Sequence, residues 1–190
     1  MTAYPMWLLG RLTRLTRRHV CVCGAAIVAA LTSLALQPAR APAKQAQAAA
    51  SPACSTHGLV IWLNTQGSGT AGAIYYRVQL TNLSGRNCTL VGYPRVAAVD
   101  LGGNRIGDGS MRFVSHKPTV VLHRGASASF VLEIIDVGNF PASRCRQVTA
   151  AGLRVFPPHS NASKVIPFPL QGCSRAGVGF LAAQAVQPHP

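Results

Sequence analysis

The sequence predicts an all-β domain: an immunoglobulin-like antiparallel β-sandwich of about 7–9 strands, stapled by disulfides and preceded by an N-terminal signal segment. Three observations lead there. Beyond Cys54 apolar and polar residues alternate with a period of two, Gly-, Pro- and Asn-rich turns separate the alternating runs, and four cysteines, Cys54 the first of them, are spread through the region. No long 3.6-residue period interrupts the pattern.

The amino end has a different character. Four arginines (Arg11, Arg14, Arg17, Arg18) precede an uncharged run over residues 20–36, the layout of an export signal. The run sits at the lower edge of what spans a hydrocarbon layer of ~30 Å, so residues 1–41 are either a signal peptide or a signal anchor. Ala39-Arg40-Ala41 and Ala46-Gln47-Ala48 offer two Ala-x-Ala cleavage signals, and cleavage between Ala41 and Ala49 is the favoured reading. The arginine excess before the run puts the amino terminus inside and the remainder outside. Arg17-Arg18 partly resembles a twin-arginine signal, but the general secretory route ranks first. No cysteine directly follows the apolar run, which argues against a lipid anchor. Residues 42–53, rich in Ala, Pro and Gln, read as a linker, residues 54–186 as the sandwich, and 187–190 as a disordered tail.

Within the sandwich, Ile74, Tyr76, Val78 and Leu80 share one parity while Tyr75, Arg77, Gln79 and Thr81 share the other, so one face is buried and one is wet. Ala128, Phe130, Leu132 and Ile134 repeat the pattern. Further strands are expected at 59–64, 89–91, 96–100, 119–122, 153–156, 164–168 and 179–186. Gly67-Ser68-Gly69, Asn82-Leu83-Ser84-Gly85, Gly92-Tyr93-Pro94, Gly102-Gly103-Asn104 and Arg124-Gly125 mark turns between them.

Cys54, Cys88, Cys145 and Cys173 lie outside the export segment, and an even number in an exported chain implies disulfides. Four cysteines allow three pairings and the sequence does not choose among them. Nearest-neighbour pairing, Cys54 with Cys88 and Cys145 with Cys173, is the favoured hypothesis, each bridge adding ~3–4 kcal/mol in the loop-entropy model. A zinc site ranks well below, because no Cys-x-x-Cys brings two thiolates to one metal.

Specific residues then resemble a family. Thr81-Asn82, Cys88-Thr89-Leu90-Val91-Gly92-Tyr93-Pro94, Leu101-Gly102-Gly103, Leu122-His123-Arg124-Gly125-Ala126-Ser127-Ala128, Cys145 and Leu153-Arg154-Val155 occur in the order typical of domain of unknown function 4232. The Cys-x-Leu-x-Gly-Tyr-Pro element is the most specific piece. The resemblance implies an exported or lipid-anchored actinobacterial β-sandwich with no assigned activity, and it carries no functional residue over to this chain.

Composition narrows the chemistry. Asp100, Asp108, Glu133 and Asp136 are the whole supply of carboxylates in 190 residues, against 18 Lys and Arg and a formal charge of +14. Glu133 and Asp136 fall three apart on a strand and point to opposite faces, unlike a glycosidase pair. Asp100 and Asp108 flank a turn, where Asp hydrogen-bonds backbone more readily than it builds a calcium cage. Gly172-Cys173-Ser174-Arg175-Ala176 breaks the nucleophile-elbow pattern at its last position. His57, His116, His123, His159 and His189 show no metal-ligand spacing, and the Asn-x-Ser/Thr sequons at Asn82, Asn87 and Asn161 read as turn geometry.

No catalytic residue, metal site or cofactor is therefore assigned. Cleavage after Ala48 would leave 12 Lys and Arg against four acids, a charge of +8, which attracts polyanions. Trp62 falls on the polar parity of its strand and Tyr75 and Arg77 on an outer face, a binding surface suited to sugar or protein. The expectation is an exported, cell-envelope-associated, non-catalytic binding or structural module. Its partner would be an anionic cell-wall polymer, the membrane surface or an envelope protein, with nucleic acid disfavoured. The alternative is an enzyme or accessory subunit of cell-wall metabolism whose loop-built site would gather His123, Glu133 and a serine.

Overall fold

The computed structural model describes residues 51–113 and 116–189. The expected signal segment, and most of the stretch expected to be a linker, lie outside the described residues. Among the described residues no helix is long and apolar enough to cross a membrane.

The domain is nearly all β and sandwich-like. Strands β1 (Leu59–Thr70), β2 (Ala73–Asn82), β8 (Ser127–Ile135), β11 (Leu181–Ala183) and β6 (Met111–Arg112) follow one another across a sheet, with β12 (Gln187–Pro188) also paired to β8. A second sheet runs β10 (Lys164–Cys173), β9 (Gln147–Phe156), β4 (Arg95–Val99), β5 (Arg105–Ile106), and a small third one joins β3 (Cys88–Val91) to β7 (Thr119–Leu122). The one α-helix among the described residues is a single turn, α1 (Ala142–Cys145). Strand neighbours are antiparallel except β11 beside β6.

Alternation explains the layering. Val78 and Leu80 of β2 and Ala128, Phe130 and Leu132 of β8 point inward to meet Val96 and Ala98 of β4 and Leu153 and Val155 of β9 in one buried cluster. Leu90, Val120 and Leu122 join it from the small sheet, and Phe180 fills it from the chain just before β11. Tyr76 closes one end by meeting Phe168 edge-on, ring centroids 5.1 Å apart.

Two disulfides tie the margins: Cys54 to Cys88, with Cα atoms 4.8 Å apart, and Cys145 to Cys173, 4.6 Å apart. They belong to an oxidising, non-cytoplasmic environment. Beside the first, Ala53 bridges Thr89 and the Thr89 amide donates to Pro52 O, so the last linker residues are part of the folded edge.

Three expectations need correcting. Gly67-Ser68-Gly69 is not the hairpin turn. It lies within β1, where the register with β2 shifts between Asn64 and Ser68, and the chain reverses at Ala71 and Gly72. Gly72, at φ +87°, meets the positive-φ requirement of a tight turn. Gly67 instead lets an aromatic ring close in, since a Cβ there would stand 2.8 Å from Tyr76 Cε1. Residues 187–190 are not wholly a disordered tail, because Gln187 and Pro188 pair with Ser129 and Ala128. The short β11 stops at Leu132 of β8, and the returning chain takes up the length of strand beyond it. Finally, 179–186 is not one strand but β11 followed by an extended link to β12.

Candidate binding surface

The six-stranded sheet turns its second face outward, and the register orders that face into rows. Trp62 lies opposite Gln79, which lies opposite Ser129, which pairs with Gln187; Asn64, Arg77 and Val131 form the next row. Tyr75 follows Arg77 on the same parity and pairs with Glu133. The three residues expected from sequence to form a surface thus share one face, with Arg77 diagonal to Trp62.

Polar groups on this face bind one another. Gln79 Nε2 donates to Ser127 Oγ (2.9 Å), the Thr81 and Ser127 hydroxyls share a hydrogen bond (2.8 Å), and Arg77 Nη1 donates to Ser129 Oγ (3.2 Å). Tyr75 OH donates to Glu133 Oε1 (2.9 Å), which holds the phenol pKa above its ordinary value because the bond favours the protonated form. Cross-linking of this kind lets the polar groups of the face satisfy one another. Trp62, 44% exposed, is the largest apolar group left on it.

The four carboxylates behave alike. Glu133 takes Tyr75; Asp136 accepts from Gly138 N (2.9 Å) as the cap of a 3-10 turn, Val137–Asn139; Asp108 accepts from Gly177 N (2.6 Å). Asp100 accepts from Asn104 N (2.7 Å) and Nδ2 (3.0 Å), and those bonds hold its carboxyl below the usual range. All these donors are neutral. The cations meet carbonyls, hydroxyls and rings instead: Arg154 Nη2 donates to Gly103 O (2.8 Å) and Arg95 Nη2 to Ser160 O (2.9 Å).

His123 O accepts from Ala126 N in the turn before β8, while Glu133 lies six residues beyond Ser127, the start of that strand, about 20 Å along it at strand rise. The two are therefore not gathered into one site. Among the described residues no three His, Cys, Asp or Glu could hold one metal ion.

Sequence reading missed a cleft of about 410 Å³ whose walls include Tyr93, Arg95, Ser110, Arg112, Lys117 and His159. Its four basic side chains come from three separate stretches of chain, so no cluster is visible along the sequence. Arg95 is fixed with its guanidinium 4.5 Å over the Phe156 ring, and Arg112 stands 5.7 Å over Tyr93. Gly92, at φ +100°, turns the chain beneath His159, whose Nε2 would be 3.6 Å from a Cβ there. His159 itself has φ +58°, unusual for a residue with a side chain. The one available signal was Gly92-Tyr93-Pro94-Arg95, a turn that places an aromatic ring and an arginine together.

No curated protein and no solved structure matches the chain. One family model does, that of the domain of unknown function DUF4232, and it spans residues 54–187, from the first disulfide cysteine to the start of β12. With most of its length covered by that match, the chain belongs to the DUF4232 family.

Proposed function

We propose that the protein is an exported, envelope-associated, non-catalytic module that binds an anionic polymer of the cell envelope. The observation that carries this reading is the charge excess: from residue 49 onward 12 Lys and Arg stand against four acids, a net charge of +8, and each acid is held by a neutral donor rather than by one of those cations. A net positive field of that size draws in polyanions from beyond contact distance. The outer face carrying Trp62, Tyr75 and Arg77 supplies contact once the polymer has arrived. The basic n-region and apolar run of the sequence support export, as do the two disulfides.

The test is binding of the oxidised, full-length protein to isolated cell envelope across a salt titration. Binding that falls steeply between low and moderate salt is expected, because the Debye length shrinks to about 8 Å at physiological ionic strength. Trp62→Ala should remove the portion that survives salt. Absence of binding at low salt would overturn the reading.

A further inference from the structure

The cleft between the Gly92–Arg95 turn and His159 shares no residue with the face that carries Trp62, Tyr75 and Arg77. We propose that it is a phosphate site, seating a phosphate ester of the envelope polymer. The proposal rests on the polyanion reading and names where the polymer's charge is held.

Four features of the cleft argue for it. Arg95, Arg112 and Lys117 converge on one recess with His159 beside them, and none of the four acids lines it. Like charges gathered without a counter-ion repel, so their convergence suits an anion supplied from outside. Arg95 is already oriented by Phe156 and Ser160, with only one of its five N–H donors given to Ser160 O, so little freedom is lost when a ligand arrives. His159 holds a left-handed backbone at the rim, the kind of local strain that accumulates at ligand sites.

The shape selects the anion. A carboxylate is planar and is satisfied by one guanidinium fork, whereas three cations from two stretches of chain, with the His159 ring from a third, match a tetrahedral group whose oxygens point several ways. About 410 Å³ leaves room for the phosphate and the polyol units that it joins. A bilayer presents its phosphates in a plane that protruding cations reach and a recess does not, which favours a soluble chain over a lipid surface.

The probe is a synthetic poly(glycerol phosphate) chain, titrated against the oxidised full-length protein. Arg112→Gln with Lys117→Gln, both exposed, is compared with Arg144→Gln and Arg175→Gln, which remove the same charge away from the cleft. The cleft pair should weaken binding about tenfold or more and the control pair less than about threefold. Inorganic phosphate should displace the chain at concentrations where chloride of equal ionic strength does not. His159→Ala, a change at an exposed rim position, gives a second handle if the double variant melts early.

Equal losses for the two pairs would overturn the cleft and leave the polyanion reading standing, since delocalised charge would then suffice. No binding of the chain alongside salt-sensitive binding of envelope would also overturn the phosphate assignment alone. No binding of either would remove both proposals. Capture of phosphatidylglycerol vesicles in preference to the chain would replace the soluble polymer with the membrane.

Discussion

Asn82 stands at the end of β2, fully buried, and its side chain joins three pieces of backbone. Nδ2 donates to Arg86 O (2.8 Å), Leu122 O (3.0 Å) and His123 O (3.2 Å), while Oδ1 accepts from Ser84 N (3.0 Å) and Ser84 Oγ (2.7 Å). Asn82→Ala removes all five. The Leu122 carbonyl loses this partner inside the protein, at ~1–3 kcal/mol for a buried group left unsatisfied, and the half-buried contacts that water can replace add less, ~0.5–1 kcal/mol in sum. A total near 3 kcal/mol should lower Tm by roughly 10 °C for a domain of this size. Asn82→Asp separates donors from shape. It keeps the acceptor towards Ser84 but turns a carboxylate on three carbonyl oxygens, so it should be less stable than Asn82→Ala at neutral pH. Because those carbonyls raise its carboxyl pKa above the unfolded value, Asn82→Asp should regain stability as pH falls through that raised pKa. Urea denaturation of the wild type and the two variants at two pH values provides the reading. Stability of Asn82→Asp within about 0.5 kcal/mol of wild type at neutral pH would refute the donor role.

Three further outcomes are expected. Replacing Cys54 and Cys88 by Ala, or Cys145 and Cys173, should cost nearly the same, about 3.8 and 3.6 kcal/mol in the loop-entropy model for separations of 34 and 28, so a large inequality in urea midpoints would show that strain or residual structure dominates. The carboxyl of Asp100 is lowered from 3.8 in the fold, so its contribution is present above that value and lost as pH falls through the folded pKa; Asp100→Asn should flatten that part of the acid limb, and an unchanged limb would count against it. Gly152→Ala would put a Cβ 2.5 Å from Ile166 O on the neighbouring strand, so β9 and β10 must part and stability should drop by about 1–3 kcal/mol, measured by thermal melting; a neutral result would show that the sheet yields at no cost.

The long strands were legible because one parity of each is apolar enough to show against the other, as in Val78 and Leu80 or Phe130 and Leu132. β5, β6 and β12 were not, since two residues carry no period; they exist because neighbouring strands offer unpaired backbone. The first half of β9 was hidden by Thr149, Ala150, Ala151 and Gly152, small residues with little contrast between faces. Trp62, Tyr75 and Arg77 could be placed on one face from alternation alone. The cleft could not, because 64 residues separate Arg95 from His159 and only β4, β9 and the turn after Phe156 bring them together.

The two disulfides also decide how the protein would carry mechanical load. Tension arriving through the chain before residue 54 passes across Cys54–Cys88 directly into β3, and the β1–β2 hairpin, enclosed in the loop of 34, carries none of it along its own backbone. Further along, Cys145–Cys173 bypasses β9 and most of β10 in the same way. The strands that bear Trp62, Tyr75 and Arg77 on one side and Arg154 on the other are therefore mechanically sheltered.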